Sequence, residues 1–104
     1  MNDIVGKVVY ISGAYRAKTI MGKLLNIWRA RRVAIKIWKL GGIAICPHMN
    51  TALFPEDSID YIEGDCEMVK RCDAIYMLKS WQKSKGARQE LAVAISKGLT
   101  IFYE

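Results

Sequence analysis

The apolar residues of this chain form two kinds of segment that alternate from one end to the other. Short continuous runs rich in β-branched and aromatic residues predict four strands, at 7–12, 43–46, 73–78 and 99–103. Between the strands, apolar residues recur every three or four positions and predict three helices, over about 18–40, 56–71 and 86–97. Loops are expected at 49–55 and 79–85. Glycines at 13, 41, 42 and 98 lie where a strand or helix is expected to stop.

Strands that alternate with helices indicate βαβ units, and therefore a parallel sheet with helices on both faces. Right-handed crossovers favour the strand order 2-1-3-4, extended to 2-1-3-4-5 if a fifth strand is present. We therefore expect one α/β domain over residues 1–104, a flavodoxin-like or Rossmann-like three-layer sandwich. In this order the ligand crevice lies outside the carboxyl ends of the first and third strands. The loops at 13–19 and 79–86 are expected to face each other there.

The first helix is expected to pack on the sheet through one apolar stripe, which consists of Ile20, Leu24, Ile27, Ala34 and Trp38. Trp28 and Trp38 are expected to anchor the core. Another face of the helix carries four cations, Arg29, Arg32, Lys36 and Lys39. Because no aromatic residue is expected to interleave with these cations, the pattern favours a solvated basic face over a nucleic-acid surface.

The composition narrows the class of protein further. The chain is 52% apolar and carries a formal charge of +6, which predicts a packed domain with anionic partners such as nucleotides or nucleic acid. No apolar run reaches the length of a membrane span and the N-terminus lacks a leader pattern, so a cytoplasmic protein is expected. Cys46, Cys66 and Cys72 lack CxxC spacing, so buried reduced thiols are expected rather than a disulfide framework or a metal site.

The segment from Ser84 to Glu90 places Gly86 at a helix start and a carboxylate one turn inside that helix. The free N–H groups and the positive dipole end of such a helix bind anions such as phosphate. A carboxylate there can act as nucleophile or base when a second segment delivers a substrate. A capped surface helix gives the same pattern, so it is the position of the segment at the crevice that favours a functional site.

Three motifs in chain order add to this hypothesis. They are the strand Tyr10-Ile-Ser12-Gly13, Asp65 eight residues before Asp73, and the series formed by Ser84, Gly86 and Glu90. With these motifs the chain resembles the nucleoside 2-deoxyribosyltransferase-like superfamily. The resemblance is closest to its small members, the nucleoside 5′-monophosphate N-glycosidases and related, often phage-borne proteins. Transferases of the superfamily carry an acidic residue where this chain has Ser84, and that difference favours a phosphorylated substrate.

The resemblance implies an enzyme, without metal or other cofactor, that cleaves or transfers the N-glycosidic bond of a (deoxy)nucleoside or its 5′-monophosphate. Glu90 would be the nucleophile and form a covalent glycosyl-enzyme, as in retaining glycoside cleavage. Asp65 would act as the acid or hold the base, and Tyr10 would position Glu90. The expected substrate contacts are Ser12, Gly13, Tyr15, Arg16, His48, Ser84 and Gly86. Of these, Ser84, Gly86 and Arg16 would hold a 5′-phosphate, and Tyr15 would stack on a base.

The resemblance further implies a homodimer or higher homo-oligomer, because active sites of the superfamily are often completed by a neighbouring subunit. Such an assembly would cover Tyr61, Trp81 and Met49. Two other functions stay open: a non-catalytic module that binds or sequesters a nucleotide, and, least favoured, a basic nucleic-acid-binding protein. Asp73 is expected to have a structural role. Asn26 is expected to be a simple polar helix position, with a tie to a neighbouring loop as the alternative.

Overall fold

Four parallel strands form the centre of the molecule. A computed structural model of the chain describes residues 2–51 and 60–104. The strands are β1 (Val8–Ser12), β2 (Ile43–Ile45), β3 (Ala74–Met77) and β4 (Thr100–Tyr103). They lie in the order β2-β1-β3-β4, and all three pairings are parallel. The predicted α/β class, the parallel sheet and the 2-1-3-4 strand order are therefore confirmed.

The described residues also form α1 (Ile20–Lys39), α2 (Pro47–Asn50), α3 (Ile62–Lys70) and α4 (Lys85–Ser96). Short 3₁₀ turns lie at Asn2–Ile4 and Lys79–Lys83, the second inside a predicted loop. The sequence prediction missed α2, which begins with a proline at the position where a missing N–H costs least. The predicted helix start near residue 56 lies outside the described residues.

The beginning of α3 corrects a second boundary. The sequence predicts one helix from about 56 to 71, but Asp60 and Tyr61 precede the first helical residue, Ile62. The Oδ1 atom of Asp60 accepts the backbone N–H of Ile62 at 2.9 Å. A short acidic side chain that satisfies a free N–H group in this way favours a helix start over a continuing helix.

Side chains of β1 alternate between two cores, because successive residues of a strand point to opposite faces of the sheet. Val9 and Ile11 pack on the face that α1 covers, in a core that includes Ile37. Tyr10 is part of the second core, on the face covered by α3 and α4. The three-layer arrangement follows from this division.

The inner face of α1 differs from the predicted stripe. The fully or largely buried residues are Ile27, Ala30, Val33 and Ile37. Ile20, Leu24 and Trp38, which were expected on that face, are 69%, 41% and 56% exposed. The helix carries apolar residues on two of its faces, and helical periodicity alone does not decide which of them meets the sheet.

The two tryptophans of α1 correct the expected core as well. Trp28 and Trp38 are 50% and 56% exposed, so neither anchors the core. The guanidinium of Arg32 lies over the ring of Trp28, 5.1 Å from its centroid. Aromatic residues therefore do lie among the exposed cations of this helix, contrary to the expectation from the sequence.

The cysteines are free thiols, as expected, but all three are half-buried rather than buried. Burial raises the pKa of each thiol above its ordinary value, so the neutral thiol is favoured. None of the described helices has the length and apolar content needed to cross a membrane.

Substitutions at two isoleucines of α1 test which face of this helix packs on the sheet. Ile27→Ala is expected to lower the free energy of unfolding by about 2–4 kcal/mol, because it leaves a cavity in the core. Ile20→Ala removes the same atoms from a position that is 69% exposed, and is expected to cost less than about 0.5 kcal/mol. Urea denaturation measures both values. Equal losses would contradict the inner face that we assign.

Candidate active site

A buried carboxylate on α4 lies at the centre of the candidate site. Glu90 is only 7% exposed and faces the strand β1. The hydroxyl of Tyr10 donates to its Oε2 atom at 2.9 Å, and the hydroxyl of Ser12 donates to its Oε1 atom at 2.6 Å. The two donors are two residues apart on one strand, so they share a face of the sheet. Each oxygen of the carboxylate is therefore fixed by one hydroxyl group.

Burial dominates the acid–base behaviour of Glu90. Desolvation raises its pKa to about 7; the Asp65 charge also raises it, while the hydrogen bonds from Ser12 and Tyr10 lower it. Near neutral pH, both protonation states of Glu90 are therefore populated. The pKa of Tyr10 is raised far above its ordinary value, first by burial and then by the charge of Glu90, so this hydroxyl stays protonated and remains a donor.

Asp65 supplies a second carboxyl group to the same pocket. It lies on α3 and is half-buried, and burial raises its pKa to about 6. Both Asp65 and Glu90 line the pocket. Tyr10, which is fully buried, contacts Glu90 from the side of the sheet. The structure thus brings together the three residues that the sequence predicted as the catalytic group.

The pocket has a volume of about 610 Å³ and lies at the carboxyl ends of the strands. This volume is within the range of small-molecule sites. Its walls come from the loop after β1, from α2, from α3 and from the start of α4. The lining residues are Gly13, Ala14, Tyr15, Arg16, Pro47, His48, Thr51, Asp60, Tyr61, Ile62, Asp65, Lys83, Ser84, Lys85, Gly86, Ala87 and Glu90. The crevice predicted from the strand order is therefore present.

The start of α4 makes one end of this pocket suited to an anion. The Oγ atom of Ser84 accepts the N–H of Ala87 at 3.1 Å, and its carbonyl accepts the N–H of Arg88 at 3.0 Å. Among the described residues, no acceptor is found for the N–H groups of Lys85 and Gly86. Unpaired N–H groups at a helix start attract negative charge. Ser84 is therefore the N-cap of the helix, and its hydroxyl hydrogen is still available for donation.

Three cations border the pocket, one on the loop after β1 and two next to the start of α4. Arg16, Lys83 and Lys85 all line it. Of these three, Arg16 is the residue that was predicted to bind ligand. Arg88, in contrast, is exposed and donates to the carbonyl of Gln82 at 2.7 Å, and it is not among the lining residues. Lys83 and Lys85 thus place positive charge next to the start of α4, and Glu90 lies one turn further along the same helix.

Gly86 is not required by the packing of the chain. A Cβ atom at this position would lie 3.7 Å from a side-chain carbon of Ile62, which is an ordinary van der Waals distance. Its φ is not in the left-handed region either, since the positive-φ glycines of the described chain are Gly6, Gly41 and Gly98. The absence of a side chain at Gly86 therefore leaves room beside the free N–H groups of the helix.

Gly13 is needed for a close approach. A Cβ atom there would lie 2.7 Å from two side-chain carbons of Leu78, which is closer than real side chains come. The following residue is tied to the same segment, because the N–H of Ala14 donates to Ser80 Oγ at 2.9 Å. The loop after β1 is therefore held against the segment after β3, and Gly13 lines the pocket as predicted.

Tyr15 and His48 meet at the rim of the pocket. Their rings pack edge to face, with centroids 5.9 Å apart. The His48 Nε2 atom lies 3.0 Å from the carbonyl oxygen of Ala14, and donates to it when it carries the proton. Burial lowers the pKa of His48, so the neutral ring is favoured at pH 7. His48 therefore holds the loop in addition to lining the pocket.

Asn26 of α1 has a role that the sequence analysis ranked second. Its side-chain amide donates to the carbonyl of Tyr15 at 3.2 Å and lies 3.5 Å from the carbonyl of Arg16. These contacts tie the pocket loop to the helix. Sequence alone favours a simple polar position over this tie, because a polar residue on a half-exposed helix face normally needs no partner.

Ser12 and Asp73 lie away from the pocket wall. Ser12 was predicted to contact substrate, but it is fully buried beneath Glu90 and bonds to it instead. The Oδ2 atom of Asp73 accepts the N–H of Val8 at 2.8 Å, at the opposite end of the strands from the pocket. The structural role expected for Asp73 is confirmed.

Comparison with known protein families shows which family the chain belongs to. A family described as a domain of unknown function (DUF4406) matches residues 7–103. The chain belongs to this family. The match runs from before β1 to the end of β4 and so includes every residue of the candidate site. A search of curated proteins gives no match.

The pH dependence of stability tests the burial of Glu90. Its pKa is about 7 in the folded chain, against an ordinary value of 4.5, so the folded state holds the proton more tightly. This contribution, roughly 3 kcal/mol, is complete below about pH 4.5 and is lost as the pH rises to about 7. The free energy of unfolding should therefore fall more between about pH 5 and 8 in the wild type than in Glu90→Gln. Equal falls in urea denaturation would contradict the assignment.

Proposed function

We propose that this chain cleaves or transfers the N-glycosidic bond of a (deoxy)nucleoside 5′-monophosphate or of the nucleoside itself. The observation that carries the proposal is the buried carboxylate of Glu90, fixed by Tyr10 and Ser12 at a pocket that also presents Asp65. A fixed carboxylate beside a second carboxyl group is the arrangement that retaining glycoside cleavage requires. The resemblance to the nucleoside 2-deoxyribosyltransferase-like superfamily assigns the same residues to these roles.

In the first step, an oxygen of ionised Glu90 forms a bond to the anomeric carbon of the sugar while the bond from that carbon to the base nitrogen breaks. The electron pair of the broken bond leaves with the base. Asp65, in its protonated form, supplies the proton that neutralises the departing base. Among the described residues, each oxygen of Glu90 accepts one hydrogen bond, which leaves a lone pair on it for the sugar.

The raised pKa values support this division of roles. The reaction needs one carboxyl group ionised and the other protonated, and pKa values of about 7 for Glu90 and about 6 for Asp65 make that combination accessible near neutral pH. The charge of ionised Asp65 raises the pKa of Glu90, so protonation of Asp65 favours the ionised form of Glu90. Both hydroxyl donors to Glu90 favour its ionised form, which is the nucleophilic one.

The proposed position of a 5′-phosphate is the start of α4. Two unpaired N–H groups, at Lys85 and Gly86, and three lining cations are the features that support it. Tyr15, on the loop after β1, also lines the pocket and offers an aromatic surface for the base. No group of three or more potential metal ligands is found among the described residues, and the steps above use only side chains of this chain.

The proposal also covers the second step of the reaction, the ligand, the compartment and the oligomeric state. Water acting on the glycosyl-enzyme would make the chain a hydrolase, and a second base would make it a transferase. The expected ligand is a nucleoside or nucleotide, the expected compartment is the cytoplasm, and the homodimer implied by the resemblance is carried over as a prediction.

Base release from a panel of nucleoside 5′-monophosphates and nucleosides, followed by chromatography, tests the activity. Glu90→Gln should lower the rate by about 10³-fold or more, since it removes the nucleophile. Asp65→Asn should lower it by about 10²–10⁴-fold. Wild-type activity should be bell-shaped, with a maximum between about pH 6 and 7, because Glu90 must be ionised and Asp65 protonated.

Glu63→Gln is the matched control, because Glu63 is an exposed glutamate of α3 and should not affect the rate. No base release from any substrate, with Glu90→Gln unchanged in every assay, would sink the enzymatic proposal. A monophosphate that raises the melting temperature of both wild type and Glu90→Gln, without base release, would instead indicate the non-catalytic binding module.

The variant Gly86→Ala tests the stability of the fold and the affinity for ligand separately. Because a Cβ atom fits at this position and alanine favours a helix, the variant should unfold with a free energy about 0.5 kcal/mol higher. The added methyl group would lie at the proposed phosphate site, so the affinity for a nucleoside 5′-monophosphate should fall by about tenfold, a loss of about 1.4 kcal/mol. Thermal denaturation with and without monophosphate measures both effects. Unchanged affinity would place the phosphate elsewhere.

A further inference from the structure

The outward face of α1 carries a row of large side chains that no other described part of the chain covers. Its members are Met21, Leu24, Trp28, Arg31, Ile35 and Trp38, and we call this row the outer seam. Its five apolar members are between 39% and 76% exposed. Single exposed apolar residues are common, but a continuous row along one helix is typical of a surface that contacts a partner.

The spacing of the outer seam is the same when it is read from either end. Successive members are three, four, three, four and three positions apart. Alternating steps of three and four keep side chains on one line of a helix that packs against another helix. The centre of the row lies between Arg29 and Ala30. A row that is symmetric about its centre can pair with an identical row running in the opposite direction.

We propose that the outer seam is the interface of a homodimer in which two copies of α1 pack antiparallel about a twofold axis. A two-fold interface places the same surface of both copies in contact. In this register Met21 meets Trp38 of the second copy, and Leu24 meets Ile35 of the second copy. Every aliphatic member of the row then faces an apolar side chain.

The one charged member of the row also finds a suitable neighbour. Arg31 faces Trp28 of the second copy, and a guanidinium over an indole ring is a favourable cation–π pair. The ring of Trp28 already accepts such a contact within the chain, from Arg32 at 5.1 Å. An aromatic ring has two faces, so a second guanidinium can pack on the other. The twofold axis produces this pair twice.

The size of the row is compatible with a specific but weak dimer. A fully buried aromatic side chain contributes about 150–250 Å². With two half-exposed tryptophans and four further side chains, pairing would bury on the order of 1,000 Å² in total, the lower limit of a specific interface. We therefore expect self-association that depends on protein concentration.

Charge distinguishes this dimer from a nucleic-acid complex. The helix α1 contains six lysines and arginines and no acidic residue, and the ion pair found in the described residues, Lys70 with Glu67, lies elsewhere. Like charges beside the seam oppose pairing, so salt should strengthen the dimer by screening them. Binding of nucleic acid would instead weaken with salt. The aliphatic members of the row favour self-association, since bases stack on aromatic rings rather than on leucine or isoleucine.

This interface differs from the surface that the sequence predicted for a dimer. Of those residues, Trp81 is half-buried, and its ring lies 6.2 Å from that of Tyr103 within the same chain. Met49 is 49% exposed and lies on α2. The outer seam is on α1 and is inferred from the exposure and spacing of its own residues. The dimer proposed here is therefore independent of the catalytic proposal.

Two complementary variants test both the interface and its register. Analytical ultracentrifugation of full-length wild type should show a monomer–dimer equilibrium that is tighter in about 0.5 M than in about 0.1 M NaCl. Leu24→Glu and Ile35→Lys should each weaken the homodimer by about tenfold or more, because each places two unpaired charges against apolar side chains. Mixing the two variants should restore association, since the antiparallel register places the new glutamate against the new lysine.

Ile95→Lys is the matched control, because Ile95 is 60% exposed on α4 and lies off the seam. It should dimerise as the wild type does, and circular dichroism should show that all variants are folded. A wild type that is monomeric at every concentration and salt would overturn the proposal. So would a mixture that does not associate. Seam variants that lose binding of a single-stranded oligonucleotide while the wild type stays monomeric would assign the surface to nucleic acid instead.

Discussion

A carboxylate held against the central strand of a parallel sheet determines how this molecule is organised. Two hydroxyl groups of β1 fix the two oxygens of Glu90, and this places α4 at a defined height over the sheet. The contact is buried, so an ionised Glu90 is costly unless both hydroxyl groups remain in place. The same contact sets the start of α4 at the carboxyl ends of the strands. Fold and candidate chemistry therefore depend on one side chain.

The charges of the molecule are separated in space around this contact. The carboxyl groups of Glu90 and Asp65 lie within the pocket, while cations and free N–H groups lie at its edge, where α4 begins. Burial raises the pKa of both carboxyl groups, so each is able to be protonated or ionised near neutral pH. A further set of cations lies on the far side of the sheet, along α1. The cations behind the formal charge of +6 thus lie on two different surfaces, the edge of the pocket and the helix α1.

Sequence patterns predicted the fold better than the surfaces. Four apolar runs and the right-handed crossover rule were enough for the strand order, because both depend on backbone chirality and burial rather than on particular side chains. The same patterns do not determine the buried face of α1, because apolar residues occupy two faces of this helix. Packing against the sheet decides which of them is buried. Trp28 and Trp38 are exposed because they lie on the face that does not pack on the sheet. Boundaries such as the start of α3 depend on single capping contacts, which periodicity does not register.

The residues of the candidate site were likewise only partly predictable from the sequence. Glu90, Asp65 and Tyr10 were predicted from the motifs that carry the resemblance to the nucleoside 2-deoxyribosyltransferase-like superfamily, and the fold brings the three side chains together. The bond from Ser12 to Glu90 was not predicted, and the tie from Asn26 to the pocket loop was only the second choice, because each depends on a hydrogen bond to a partner distant in sequence. Lys83 and Lys85 were not among the predicted ligand contacts, and a polar loop usually places its cations in solvent.

The central claim is that Glu90 is both the tie between α4 and the sheet and the nucleophile of a glycosyl transfer. The most direct test is mass spectrometry of the protein after acid quenching of a reaction with a 2-fluoro-substituted nucleotide, which slows release of the sugar from the enzyme. The account predicts a mass gain equal to the sugar phosphate, located on the peptide that contains Glu90, and no gain in Glu90→Gln. Release of base without modification of Glu90, modification of a different carboxylate, or no reaction with any nucleotide or nucleoside would contradict it.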